Sequence, residues 1–134
     1  MSQEHLETLK SIYAEWEQGR LGAGWTMYDP DITVETFMPD AGEAVTLQGL
    51  NEFESFVRDW LTQWQEYRVT GEDFQVVETD RVLVSGRQIA TGHRSGAGVE
   101  SPAFAVWTFR QGKVIRLTLH YDRDDALQAA GLSE

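Results

Sequence analysis

Apolar residues recur at helical spacing near the start of the chain. The spacing predicts an amphipathic helix that Ser2 caps at its start and that ends just before Gly19. Such a helix buries one apolar stripe and leaves its other side in water. The residues of the stripe are Leu6, Leu9, Ile12, Tyr13 and Trp16.

The strongest helical pattern occupies residues 53–67. Asn51 followed by Glu54 suits a capping box, with Asn in place of the usual Ser or Thr. This stretch is therefore predicted to be one long helix. Its apolar face consists of Phe53, Phe56, Val57, Trp60, Leu61, Trp64 and Tyr67.

The chain between these helices reads as a short helix at 21–28 and a strand at 32–37. Gly22 and Gly24 weaken the helix, whose inward residues are Trp25 and Tyr28. β-Branched residues favour the strand. Residues 39–49 are predicted to form a loop.

From Val69 onward the pattern changes to alternation, which predicts strands at 74–78, 82–91, 99–109 and 114–121. Thr79-Asp80, residues 95–98 and Gln111-Gly112 have the composition of the turns between them. Gly86 inside a long strand suggests a bulge that helps the sheet to curl.

The chain closes with a short helix over Arg123–Ala130. Asp122 is placed to cap its start, and Gly131 fits a left-handed stop. Helices early and an antiparallel meander late predict an α+β fold. We expect one domain over residues 1–134, in which a curved sheet wraps around the long helix as a cone with a pocket in its mouth.

Composition narrows the function classes. The 134 residues carry 11 basic and 22 acidic side chains, a formal net charge of −11, which disfavours nucleic acid and anionic membranes as partners. The absence of cysteine excludes thiolate catalysis and zinc–thiolate or iron–sulfur sites. His5, His93 and His120 do not have metal-ligand spacing, so neither a metal nor another cofactor is expected. The acidic, polar start and the lack of a long apolar run lead us to expect a soluble cytoplasmic protein.

Three segments carry a resemblance to a known family. They are YDPD at 28–31, VWTFRQGKV at 106–114 and YDRDDALQAAGL at 121–132, the last being the most specific. With these, the whole chain resembles the SnoaL-like branch of the nuclear transport factor 2-like (NTF2-like) superfamily. The resemblance implies a cone-shaped α+β barrel that forms a homodimer through its sheet. Members include isomerases, dehydratases, epoxide hydrolases and polyketide cyclases, so the fold does not choose a reaction.

Few residues of this sequence match the catalytic patterns known in the superfamily. A ketosteroid isomerase pattern, which needs an acidic base and two hydrogen-bond donors, falls on Ile12, Thr36 and Pro102. The only Arg-x-Asp of the epoxide hydrolase kind is Arg123-Asp124-Asp125, which also suits an acidic first turn of a helix.

Three residues remain as weak candidates for acid–base catalysis. Trp16-Glu17 falls near the Tyr-Asp pair that dehydratases of the superfamily carry at the end of the first helix, so Glu17 is a candidate, against the alternative of a solvated helix end. His120 follows an apolar strand, and alternation directs it away from the cone, toward solvent or a dimer partner. Asp122 is equally explained as a helix cap.

The aromatic residues suggest a ligand site, although each of the five tryptophans could instead fill the core. Arg87 would anchor an anionic or carbonyl group if it pointed inward. If it points outward, it is solvated or pairs across the dimer. Two functions follow: binding of a small apolar ligand, with or without a cofactor-free isomerisation, dehydration or cyclisation, and a non-catalytic dimerisation or interaction module with a filled cone. A cavity of roughly 300 Å³ or more would favour the first. The candidate ligand-binding residues are Tyr13, Trp16, Thr36, Trp60, Trp64, Arg87, Trp107 and Tyr121.

Overall fold

A computed structural model of the protein describes residues 2–20, 25–37, 44–77, 80–92 and 98–131. These residues form helices and a single six-stranded sheet, which confirms the predicted α+β fold. The elements in chain order are α1 (Ser2–Glu17), a 3-10 turn (Trp25–Met27), β1 (Tyr28–Phe37), β2 (Ala44–Gln48), α2 (Leu50–Leu61), β3 (Trp64–Val77), β4 (Arg81–Gly92), β5 (Gly98–Arg110), β6 (Lys113–His120) and α3 (Arg123–Ala130).

The strands lie in the order β2-β1-β6-β5-β4-β3. β3 to β6 form the expected antiparallel meander. β1 pairs parallel to β6 and antiparallel to β2, so the sheet is mixed. The described helices include none that is both long and apolar enough to cross a membrane.

The core lies between α1 and the concave face of the sheet. Leu9 and Ile12 of α1 pack with Val34 and Trp107 of the strands, and all four are buried. On the other face, α3 covers a smaller cluster that includes Leu83 and Val106. The two clusters follow the alternation of the strands, which sends successive side chains to opposite faces.

The predicted long helix is wrong in its second half. α2 ends at Leu61, and Trp64 and Tyr67 belong to β3, where they pair with Gly92 and Ala90. Backbone pairing with β4 therefore overrides a helical apolar period, as tertiary context often does.

The start of α2 also differs from the capping box predicted at Asn51. Gly49 is the N-cap residue, and it makes no side-chain cap. Instead, the Glu52 carboxylate accepts a hydrogen bond from the Gln48 backbone N–H at 2.8 Å. Gly49 has φ of +93°, which favours glycine at that position.

Two further predictions between α1 and α2 are wrong. Residues 39–49 contain β2, which supplies an edge strand. The helix expected at 21–28 is limited, among its described residues, to the 3-10 turn before Tyr28 begins β1. Residues 21–24 lie outside the described part of the chain.

The sheet bends where β3 and β4 meet at Gly71 and Gly86. The register shifts between Gly71 and Asp73, so the irregularity expected at Gly86 lies on the facing strand β3. A Cβ on Gly86 would stand 1.8 Å from the Thr70 carbonyl oxygen, so only glycine permits this approach.

The Gln111-Gly112 turn and the last helix follow the sequence closely, whereas Thr79 of the predicted Thr79-Asp80 turn lies outside the described residues. Gln111 and Gly112 both have positive φ (53° and 80°), as the two-residue hairpin turn requires. The Asp122 carboxylate accepts a hydrogen bond from the Asp125 backbone N–H at 3.3 Å, which confirms the predicted cap of α3. Gly131 has φ of +86°, the predicted left-handed stop. The turn predicted at 95–98 lies mostly outside the described residues.

Candidate functional site

A cavity lies between α1, α2 and the concave face of the sheet. Its lining includes Trp16 of α1 and Phe56 and Trp60 of α2. The sheet adds Tyr67 of β3 and Leu119 of β6 to this lining. Its volume is about 90 Å³. That is smaller than the roughly 300 Å³ at which ordinary ligand pockets begin. The cavity in this structure therefore admits a small molecule only, unless the helices move.

The wall of the cavity is almost wholly apolar and carries no acidic or basic side chain among its described residues, His120 excepted. Its other titratable members are Tyr13, Tyr67 and Tyr121. Burial raises the pKa of Tyr13 and of Tyr67, so both phenols are protonated at neutral pH. They serve as hydrogen-bonding groups and not as bases.

Several polar groups of the wall are already paired. Tyr13 Oη accepts a hydrogen bond from Trp107 Nε1 at 3.1 Å. Tyr67 Oη donates to Gln88 Oε1 at 2.7 Å, and Gln88 Nε2 donates to Ser101 Oγ at 2.9 Å. These two consecutive hydrogen bonds fix the orientation of the Tyr67 ring at the cavity.

Two buried polar groups of the wall have no such partner. Trp16 is 6% exposed and Thr36 is 2% exposed. Neither Trp16 Nε1 nor Thr36 Oγ1 makes a hydrogen bond to a described residue. A buried donor or hydroxyl left in this way costs about 1–3 kcal/mol.

The aromatic residues fall into two groups. Tyr13, Trp16, Tyr28 and Trp107 form the core aromatic cluster and are all buried. The α2–β3 aromatic cluster consists of Phe56, Trp60, Trp64 and Tyr67, which are half-buried. Of the side chains of α2, only Phe53 is buried, so this helix packs lightly over the cavity.

The structure brings together most of the residues predicted to bind a ligand. Tyr13, Trp16, Thr36, Trp60 and Tyr121 line the cavity. The remaining three lie outside it. Trp107 is fully buried in the core, Trp64 contacts Trp60 at a ring distance of 5.7 Å, and Arg87 is exposed and paired with Glu72 and Glu100.

The three candidates for acid–base catalysis are distributed differently. Glu17 is exposed at the end of α1, and Asp122 is exposed and caps α3. His120 is buried and bounds the cavity, but its Nε2 lies 2.9 Å from Thr118 Oγ1. Alternation directs Thr118 and His120 to the face of β6 opposite Leu117 and Leu119. His120 is only 4% exposed, so it does not project into solvent as predicted. Burial lowers the pKa of His120.

The residues tested against other chemistries are also placed. Ile12 lies in the core, Thr36 in the cavity wall, and Pro102 on the exposed outer face. Asp124 and Asp125 are exposed in the first turn of α3, where they complement the helix dipole. The described residues contain no group of three or more His, Asp or Glu placed to hold a metal ion.

Sequence reasoning missed several wall residues, including Val69, Gln88 and Ala103. Alternation in β4 could have placed Gln88 inward once Val82 and Val84 were taken as core. It could not have shown that the alternation of β4 continues past Gly86, where the facing strand β3 shifts its register.

Comparison with known proteins decides the family. The model of the SnoaL-like domain matches residues 9–117. The chain belongs to the SnoaL-like family. No curated protein matches it significantly.

Solved structures show the same NTF2-like fold. An NTF2-like protein of unknown function from Burkholderia pseudomallei has a TM-score of 0.75 at 21% identity, with 93% of this chain and 95% of that chain covered. TerC, crystallised with polyporic acid, has a TM-score of 0.74 at 20% identity, with 96% and 98% covered. A candidate SnoaL-like polyketide cyclase from Jannaschia species CCS1 has a TM-score of 0.75 at 18% identity, with 99% and 94% covered. At these identities the likeness is one of fold.

Proposed function

We propose that this SnoaL-like protein binds a small, neutral, largely apolar molecule in the cavity under α2. The observation that carries the proposal is the wall itself, which joins apolar and aromatic side chains from two helices and the sheet with a few polar groups. Apolar concave sites with a few convergent polar groups are typical of small-molecule sites. TerC, a neighbour in fold, was crystallised with polyporic acid, which supports small-molecule binding by this fold.

The ligand is neutral because the wall provides no counter-ion of either sign apart from His120, whose pKa is lowered. Burying an unpaired ion costs far more than burying a neutral polar group. The formal net charge of −11 further disfavours anions.

A ligand larger than the cavity requires α2 to shift. Phe56, Val57 and Trp60 are half-buried, and their helix is anchored in the core mainly by Phe53. Displacing these side chains costs less than opening the buried core, because less apolar area changes its contacts.

The test is a fluorescence titration with aromatic ketones and other neutral polycyclic compounds, followed by thermal shift. Binding should quench or shift the tryptophan emission and raise the melting temperature. Ala103→Leu, which places a larger side chain in the wall, should abolish the response. Gln75→Leu on the exposed part of β3 is the matched control and should keep it. No response across the panel would refute the proposal.

Cofactor-free catalysis, such as isomerisation, dehydration or cyclisation, has less support from the site than ligand binding has. It would need a base, and the described wall offers no carboxylate. The protonated phenol of Tyr13, which accepts from Trp107 and keeps its own O–H, could donate to a developing oxyanion, as donors do in acyl and enol chemistry. A ligand that binds should therefore be followed for turnover by mass spectrometry.

The second candidate function is a non-catalytic dimerisation or interaction module. The small volume of about 90 Å³ favours it, because a filled cone leaves little to bind. Light scattering would report the oligomeric state. A stable homodimer that retains the same melting temperature with every compound would select this function over ligand binding.

A further inference from the structure

The polar groups in the cavity wall divide into those that the protein satisfies and those that it does not. Tyr13 accepts from Trp107, and Tyr67 is held by Gln88. Trp16 Nε1 and Thr36 Oγ1 stand apart, since each is buried without a hydrogen bond to a described residue. In native proteins nearly all such buried groups have a partner, so each of these exceptions calls for an explanation.

The chemistry of the two groups specifies what would satisfy them. An indole N–H only donates, so Trp16 requires an acceptor. A threonine hydroxyl donates and accepts, so Thr36 can also donate to an acceptor. Trp16 comes from α1 and Thr36 from β1, and both border the same cavity.

We propose that Trp16 and Thr36 determine ligand specificity by donating hydrogen bonds to oxygen on an otherwise apolar molecule. The ligand class is a neutral compound with a carbonyl or similar acceptor oxygen attached to a flat hydrocarbon body. This inference rests on the proposed function, since it names the ligand class of the same cavity.

The packing of the wall indicates which side chains would contact the oxygen of such a ligand and which would contact its hydrocarbon body. The Trp16 ring is fixed by Tyr13 at 5.0 Å and by Trp107 at 5.6 Å between ring centroids. Its N–H therefore has a set direction before a ligand arrives, which reduces the entropy lost on binding. The half-buried rings of Phe56 and Trp60 remain to contact the hydrocarbon body.

The test compares acetophenone with α-methylstyrene, which has nearly the same shape but a CH₂ group in place of the carbonyl oxygen. Isothermal titration of the full chain should show acetophenone binding about tenfold more tightly, the upper end of what a net hydrogen bond contributes. In Trp16→Phe and Thr36→Val the preference should fall to about twofold or less.

Thr118→Val is the control, because Thr118 is also a buried threonine and does not line the cavity, although its Oγ1 lies 2.9 Å from His120 Nε2. It should retain the preference for acetophenone. A second measurement needs no folded variant: in the ¹H–¹⁵N spectrum of the unaltered protein, acetophenone should shift the Trp16 indole resonance more than α-methylstyrene does.

The outcomes separate the two proposals. Equal binding of both compounds, a preference that survives both substitutions, or an unmoved Trp16 resonance would overturn this inference and leave ligand binding intact. Failure of both compounds to bind would overturn the proposed function, and the inference with it.

Discussion

The two aromatic clusters are built from the same residue types but are packed differently. Trp107 in the core aromatic cluster is fully buried, and its indole N–H is bonded to Tyr13. Trp60 in the α2–β3 aromatic cluster is half-buried and contacts mainly other rings of its own cluster. The first arrangement serves stability, and the second leaves side chains that can rearrange around a ligand.

The bend in β3 separates the two regions. Before the bend, Tyr67 and Val69 face the cavity, and after it Phe74 packs on Tyr13. Gly71 sits at the boundary, where a Cβ would stand 2.9 Å from the Tyr13 ring. One strand therefore contributes to the core and to the cavity wall on either side of its register shift.

The largest difference should appear on removing one ring from each cluster. Trp107→Ala should lower the free energy of unfolding by about 3–5 kcal/mol, because it leaves a large cavity in a region that cannot collapse. Trp60→Ala should cost about 1–2 kcal/mol, because less apolar area is lost from burial. Urea denaturation measures both. Similar losses would show that the two clusters are equally structural.

The next effect concerns the bend itself. Gly86→Ala places a Cβ against the backbone of Thr70, which cannot yield as a side chain could. It should destabilise the protein by about 3 kcal/mol, the upper range for overpacking. Gly98→Ala is the control, since its nearest neighbour would lie at 3.9 Å and the change should be nearly neutral. A tolerated Gly86→Ala would mean that the bend is not fixed by this contact.

A smaller effect should distinguish the hydrogen bonds of the two clusters. Tyr13→Phe leaves the buried Trp107 N–H without an acceptor and should cost about 1–3 kcal/mol. Tyr67→Phe leaves Gln88 its bond to Ser101 and should cost about 1 kcal/mol or less. Reversal of that order in thermal or chemical denaturation would contradict the assignment of the core cluster to stability.

The smallest effect is expected from pH. Burial lowers the pKa of His5, which stacks on Phe109 at 4.0 Å, and that of His120. The unfolded state then binds more protons than the folded state below the ordinary histidine pKa of about 6.5. Stability should be full above that pH and decline as the pH falls toward the lowered values.

Urea titrations between pH 7.5 and 5.5 should show this decline, and it should be weaker in the double variant His5→Gln, His120→Gln. An unchanged slope in the double variant would assign the decline to other groups. The total tryptophan emission provides a second signal for the same transition.

The sequence by itself determined the elements whose signals are local. The apolar stripe of α1, the Asp122 cap, Gly131 and the Gln111-Gly112 turn each act over a few residues, and the structure has them where the pattern predicts. The resemblance of short segments also predicted the SnoaL-like family, which the match over residues 9–117 confirms. Local periodicity and turn chemistry do not depend on distant contacts.

Tertiary structure decided the rest. Trp64 and Tyr67 continue the helical period of α2, yet they form a strand because β4 offers backbone partners. β2 exists because β1 pairs with it, although residues 39–49 have the composition of a loop. Which tryptophans fill the core and which border the cavity also depended on how α1 and α2 pack on the sheet. A strand forms when another strand completes its hydrogen bonds, and that partner is remote in the sequence.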